Sequence, residues 1–537
     1  MLFNKFKTKY NKYKKYLIAG VISSLFILTG CSSDNSGSSS SSSSATNMST
    51  LTLGCSNFSN SLNPVASPNS AWGPARYGIC ETLFKFDNSM NALPNLCDSY
   101  QVDNSKTVWE LHIRDGIKFS NGNDLTASAV KDSLEYLYAN EGINGNTNTP
   151  SQYLVYDSIT ADNSTGILTI TTSKPYADLT KVLSHVNFII HDVTTSDIDN
   201  YLVGTGPYKV EDNNVGVSIL LGKNEHYWND EVPFENLEII FMEESTTKSL
   251  ALQSGDIDIC DSITTSYDLD LLRSSSDFNL SETLSARTAF SYINYDGILA
   301  DDTLREAILL AIDDDTICDI TVGGVYSSGY SILPSSLDYN YNNLQDKSSY
   351  NLELAKAKLD EAGIVDTNND GIRELNGEEI NLSYVAYVMK SLDAVAEGVT
   401  VNLQELGIGV DLKILDSDTH WNMIVNGEFD LGICSWITVA VGDPIGFLEN
   451  WYSKGSLNYG NYYNKDYDDL YELLLVELDT DVQKLLIEQL QQLLIDDFAI
   501  MVHGYYKSNL SSTSQIKGVE MSMSESYWIT TDIKPVN

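Results

Sequence analysis

Cys31 is the first residue whose type and setting point to chemistry. It closes the segment Leu28-Thr29-Gly30-Cys31, behind six lysines between Lys5 and Lys15 and the apolar run Leu17 to Leu28. That run is about 12 residues, short of the roughly 20 a helix needs to cross a bilayer, so it reads as a secretory signal rather than a span. A small residue followed by cysteine at its end is a lipobox. Cleavage before Cys31 is expected, leaving a thiol that carries several acyl chains, since one chain alone holds a protein only marginally. A second pattern, Asp366-Thr367-Asn368-Asn369-Asp370-Gly371, opens like a calcium loop with oxygen side chains at positions one, three and five and glycine at six. Position twelve is Gly377, where a bidentate glutamate should close the shell, so calcium and a plain Asx-rich turn both stay open. The six histidines form no H-E-x-x-H, and no G-x-S-x-G occurs, which leaves a zinc site or a serine hydrolase without its motif. His112 falls on the polar face of an alternating segment and reads as a surface residue.

The elements that would position any site alternate between strand and helix. Thr107 to Arg114 and Gly166 to Thr172 have strand period; Asp124 to Tyr138 has helical spacing. Asp301 and Asp302 can cap a helix presenting Leu304, Ala307, Ile308, Ala311 and Ile312 on one face. Leu352, Ala355, Leu359 and Ala362 repeat the pattern before Gly363, and Val482, Leu485, Leu486, Leu490, Leu493 and Leu494 mark a longer amphipathic helix. The chain is mixed α/β with no internal repeat.

Composition narrows the function classes. The formal charge of −42 becomes about −48 without the six signal lysines, so nucleic acid and anionic lipid are repelled. The Ser-rich residues 31–50 cannot bury enough apolar surface to fold and read as a tether. The remainder exceeds one core. Six cysteines beyond Cys31 can be bridged in an exported protein, with fifteen possible pairings, or stay as buried thiols.

An ordered series of segments then carries a family resemblance: Ser61 to Pro64 (SLNP), Ile79 to Asp87 (ICETLFKFD), Trp109 to Val130, Gly204 to Val210 (GTGPYKV), Lys223 to Asp230, Leu252 to Ile259 (LQSGDIDI) and Asp301 to Asp315. In this order they resemble the cluster C, or family 5, extracellular solute-binding lipoproteins of peptide and nickel ABC importers. The resemblance implies a two-lobed periplasmic-binding-protein-like fold that closes on ligand by hinge motion. The expected division is a signal peptide at 1–30, a tether at 31–50, lobe I at 51–285 with a subdomain inserted near 82–200, lobe II at 286–504, and a return to lobe I at 505–537.

The resemblance also implies where ligand sits. In the family's peptide binders a tryptophan after a second-lobe strand is followed three residues later by an aspartate that pairs with the peptide's amino group. Here Trp436 matches, Ile437 and Thr438 intervene, Val439 stands where the aspartate should, and Asp443 follows later. Nickel-chelate binders lack that aspartate and use aromatic walls with an arginine. Trp72, Arg76, Tyr77, Arg287, Tyr292 and His185 are the corresponding candidates, His185 also as a possible ligand of a metal chelate, with core packing the competing role of each aromatic. The expected protein is a lipid-anchored extracytoplasmic receptor on the outer face of the membrane. It captures a small peptide-type or nickel-chelate-type solute for an ABC permease, as a monomer, without a cofactor or catalytic residues. The alternatives are a peptide or pheromone receptor anchored through Asp443, and, further off, a secreted hydrolase or a structural surface lipoprotein.

Overall fold

The computed structural model describes residues 48–146 and 148–536. The expected signal peptide, Cys31 and nearly all of the tether lie outside these residues. One sheet of eleven strands runs through the molecule. At one end Asn381–Tyr387 lies parallel to Gly409–Leu415 and Leu431–Ile437; at the other, Thr50–Cys55 lies parallel to Asn236–Phe241 and Ile259–Asp261. Two long antiparallel strands, Phe278–Ile293 and Met501–Thr513, join these trios: they pair with each other, the first also with Leu431–Ile437 of one trio and the second with Ile259–Asp261 of the other. Parallel trios buried on both faces demand near-continuous apolar runs. Leu382, Tyr384, Val385, Ala386, Leu431 and Ile433 supply one; Leu51, Leu53, Leu237, Ile239 and Ile259 supply the other.

A smaller four-stranded sheet, ordered Cys97–Val102, Val108–Ile113, Ile167–Thr172, Tyr156–Asp162, carries its own core with Trp109, Leu111, Leu134, Leu137 and Ile170. The two strands expected there form. The helix beside them runs Ala127–Ala139, starting later than the spacing suggested because the Thr126 hydroxyl accepts from Ala129 N at 3.1 Å, while Asp124 is held in a bridge to Lys118. Gly204 and Gly206 mark the chain's path from this small sheet to the large one. A Cβ on either would lie 2.1 Å from the Ile79 carbonyl oxygen or 2.3 Å from that of Gly78, so the two segments pass backbone to backbone.

The expected helices appear at Asp302–Ala311, capped by Asp301 accepting from Leu304 N at 2.9 Å, and at Leu352–Glu361. The helix Thr480–Asp496 also forms, but its buried face differs from the expected one: Val482 and Leu485 are exposed, whereas Gln483 and Gln491 are buried. Gln491 is satisfied there, accepting from Ser331 Oγ at 2.8 Å and donating to the Tyr339 carbonyl at 3.0 Å. The six described cysteines are all buried and unpaired. Among the described residues no helix is long and apolar enough to cross a membrane.

Candidate functional site

Ligands of open α/β sheets sit beyond the carboxyl ends of parallel strands. Here both trios direct those ends at one cleft. Asp261 ends a strand of one trio; Lys390 lies three residues past a strand of the other and holds the Asp261 carboxyl down, together with its partner Lys248 at 2.8 Å and against the effect of burial.

The long strands cross this floor, and their pairing slips between Leu284 and Thr288. Such an irregularity re-aims side chains. Arg287, inside it, donates to the Ser435 carbonyl at 3.1 Å and reaches the Glu525 carboxylate at 3.4 Å. Arg76, from the short helix Trp72–Arg76, comes to the same carboxylate at 3.6 Å and donates through Nε to the Glu525 carbonyl at 2.8 Å. The rings of Phe58, Trp72 and Trp528 surround its guanidinium at 4.3 to 4.6 Å. Burial opposes charge on Glu525, but Arg287, Lys390 and Arg76, with a 2.6 Å hydrogen bond from Ser508, together hold its carboxyl well below the usual range.

The aromatic candidates form two separate groups. Trp436, half-buried at the end of its strand, packs edge to face on Trp421 at 5.9 Å, and Trp421 lies 6.4 Å from Tyr459. In the other group Trp72 meets His185 at 6.0 Å, and Tyr153 meets it at 4.8 Å. His185 is buried, which pushes its pKa down to about 4, and Nδ1 accepts from Asn187 N at 3.2 Å. That hydrogen bond assigns the ring proton to Nε2, so the free nitrogen donates rather than ligates a metal.

The other candidates are already committed. Tyr77 is buried and accepts from the Cys55 thiol at 3.6 Å; Tyr292 is buried and donates to Asn450. Thr438 uses its backbone N–H and its hydroxyl on the Ala286 carbonyl, at 2.8 and 3.0 Å. Val439 is fully buried among Phe86, Met90, Ala286, Leu337 and Met523, an apolar seam joining the small-sheet region to the far trio. Beside it Lys181 donates to the Gly442 carbonyl at 3.2 Å, and Lys106 to that of Leu478 at 2.8 Å. Asp443 accepts from Ile445 N at 2.9 Å; burial raises its carboxyl, opposed by that hydrogen bond and by Lys181.

Thus the structure brings Arg76, Arg287 and Trp72 to one floor, with His185 against Trp72, and sets Trp436 in a separate aromatic wall. Sequence reasoning missed Glu525 and Lys390. Neither belongs to a motif, and the Arg76–Glu525 contact spans 449 residues of chain. Among the described residues no group of three or more His, Cys, Asp or Glu is arranged to hold a metal ion. The Asp366 loop spends its oxygens on its own turn, Asp366 accepting from Asn369 N at 2.6 Å and Gly371 N at 2.9 Å, and Asn368 from Asp370 N at 2.9 Å.

Comparison with known proteins bears on the fold and the family. The nickel-binding protein NikA of Staphylococcus aureus is 25% identical over 96% of this chain and 98% of its own. Its crystal structure with Ni(L-His)2 superposes with a TM-score of 0.75 at 22% identity, covering 91% of this chain and 100% of that one. The oligopeptide-binding protein AppA of Bacillus subtilis, solved with a nonapeptide, gives a TM-score of 0.74 at 19% identity over 91% of this chain and 99% of its own. These likenesses show the two-lobed periplasmic-binding fold. Residues 91–459, well over half of the chain, match the family described as bacterial extracellular solute-binding proteins, family 5 Middle, and the chain belongs to that family.

Proposed function

We propose that this protein is a lipid-anchored receptor on the outer face of the cell membrane that closes two lobes on a small solute and delivers it to the permease of an ABC importer. The lobes divide near residues 285 and 504, where the two long strands cross the cleft floor. The ligand is of metal-chelate rather than free-peptide type, held by the wall of Trp436 and Trp421 and by polar groups of the floor around Arg287; Trp72 and His185 face it from the other lobe. One observation carries the choice. Val439, at the position that anchors a peptide amine in related receptors, is sealed in an apolar seam, and an unpaired ammonium buried there would cost several kcal/mol. Asp443 is a poor substitute, since its carboxylate caps Ile445. We assign no catalytic residue and no cofactor, and Cys31 is the lipidation site.

Native mass spectrometry of receptor purified from its own host identifies the retained ligand. Calorimetry then compares Ni(II)–L-histidine with free and N-acetylated peptides. Chelate binding with weak, acetylation-insensitive peptide binding is expected; tight peptide binding lost on acetylation would replace this reading with a peptide receptor.

A further inference from the structure

Three of the segments that carry the family resemblance meet at one buried carboxyl. Glu81, 8% exposed, lies in the first, Ile79 to Asp87. Its Oε2 accepts from the Thr205 hydroxyl at 2.8 Å, in Gly204 to Val210, and from the Trp228 indole N–H at 2.9 Å, in Lys223 to Asp230. Both donors are neutral. Lys85, exposed on the adjoining strand, lends a cation's charge from a distance, and the two form no ion pair among the described residues. A buried carboxylate without a paired cation is costly, whereas the protonated acid is not. Burial accordingly pushes the Glu81 carboxyl up to about 7, opposed by the hydrogen bonds from Trp228 and Thr205, by Lys85 and by Asn95.

The place of this carboxyl in the fold gives its proton leverage. The chain leaves for the small-sheet region through Glu81 and comes back past Ile190 and Gly204. Ile190 N donates to the Glu81 carbonyl at 2.8 Å and Gly206 N to that of Ile79 at 3.0 Å, so the outgoing and returning segments lie side by side, and the Glu81 side chain ties them a second time. Beyond this joint the small-sheet region supplies one face of the seam. Phe86, five residues on, packs with Met90 beside Val439 and Leu337, while Lys181 and Lys106 reach the Gly442 and Leu478 carbonyls.

The other ionisable groups around the joint keep their charge state near neutrality. Burial raises the Cys80 thiol and the Tyr227 and Tyr527 hydroxyls, which stay neutral, and pushes His191, next to Ile190, down to about 4. Asp192 has its carboxylate oxygens held by Asn121, Asn123 and Thr194, and the Arg114 guanidinium lies 5.1 Å from the centre of the Trp228 ring.

We propose that Glu81 is a proton-operated joint: with its proton on, it holds the small-sheet region where it meets the far lobe, and loss of the proton frees that region, so the receptor shuts more readily in mildly acidic surroundings than in alkaline ones. Nothing in this depends on which solute is bound. Because the folded value lies above the ordinary carboxyl value of about 4.3, the tight joint is favoured fully below that pH, and the preference is lost as pH rises to about 7 and stays lost above it.

The test is a distance measurement on the ligand-free mature receptor, with one spin label on the small sheet and one on the helix Thr480–Asp496, from pH 5 to pH 8. The open population of the parent should rise at least about tenfold over this range and level off above about pH 7. Glu81→Gln keeps a neutral acceptor for Thr205 and Trp228, and it should stay as closed as the parent at pH 5 across the whole range. A parent whose distances do not change with pH overturns the proposal, as does a Glu81→Gln protein that keeps the parent's pH dependence or stands open at every pH. If Glu81→Gln does not fold, the parent decides: a rise complete by about pH 7 supports the joint, and a flat profile or a rise that begins only above pH 7 overturns it. Failure to capture any solute would remove the receptor reading and leave this result as it stands.

Discussion

The floor of the cleft and the seam at its edge close the same two lobes by opposite physics. At the floor, Glu525 gathers Arg76, Arg287 and Lys390 in a place where a bare charge is costly, and the geometry is set by hydrogen bonds such as the 2.6 Å contact from Ser508. At the seam, Val439, Phe86, Met90, Leu337 and Met523 exclude water with no polar atom among their side chains other than methionine sulfur. Ionic floors contribute little net stability because desolvation offsets attraction, yet removing one member strands the rest. Apolar seams contribute in proportion to area and tolerate small losses. The floor therefore specifies an arrangement, and the seam holds its two sides together.

The largest expected effect tests the floor. Glu525→Gln leaves three cations facing one another and should destabilise the protein by about 3–5 kcal/mol, read as a fall in urea midpoint. The parent has the matching acid dependence. Because its folded carboxyl is held below the ordinary value, Glu525 contributes stability that is full above the unfolded pKa of about 4.3 and is lost as pH falls from there toward the depressed folded value. Glu525→Gln should flatten that part of the profile, and a change under about 1 kcal/mol would make the floor an ordinary surface network.

Much of this arrangement was legible in the residues. Strand period located the small sheet, and Asp301 caps the helix it was expected to cap. Trp436 was legible through the family pattern and stands at the end of its strand. What was not legible depends on contacts distant in sequence. Glu525 lies in a Ser- and Met-rich segment without period, and Lys390 in a turn whose left-handed backbone carries no glycine to announce it. The face of Thr480–Asp496 was misread for a related reason: leucines recur around more than one side of that helix, and only the partners Ser331 and Tyr339 explain why Gln491 is inside.

Next in size is the seam. Val439→Asp puts a carboxylate between Phe86 and Met90, where it should favour the open form by about 2–4 kcal/mol while leaving each lobe folded. Small-angle scattering should show an expanded ligand-free protein with a nearly unchanged melting temperature. Affinity for the native ligand should not improve, although free-amine peptides should gain relative to the parent. A compact Val439→Asp protein would mean that the floor alone holds closure.

The aromatic wall is expected to matter for binding more than for folding. Trp436 is half-buried against Trp421 and Phe447, so Trp436→Ala should cost about 1–3 kcal/mol of ligand affinity and little melting temperature. The reverse pattern would move Trp436 into the core.

The smallest effect separates the seam's polar latches from its apolar body. Lys181 and Lys106 each donate to a carbonyl across the cleft, that of Gly442 at 3.2 Å and that of Leu478 at 2.8 Å. Each hydrogen bond exists only when the lobes are shut, so its loss shifts the opening equilibrium without touching either lobe's core. Lys106 also donates to Ala177 on its own side at 3.2 Å, which pre-positions the ammonium and lowers the entropy it loses on closing. Lys106→Met should therefore loosen closure more than Lys181→Met, by about 1 kcal/mol against about 0.5. Both keep an apolar stem of similar length. The shift is readable as a several-fold rise in the open population by distance measurements between spin labels on the two lobes. Equal shifts would remove the role given to Ala177, and a rise as large as that in Val439→Asp would show that these two hydrogen bonds, rather than the apolar seam, hold the cleft shut.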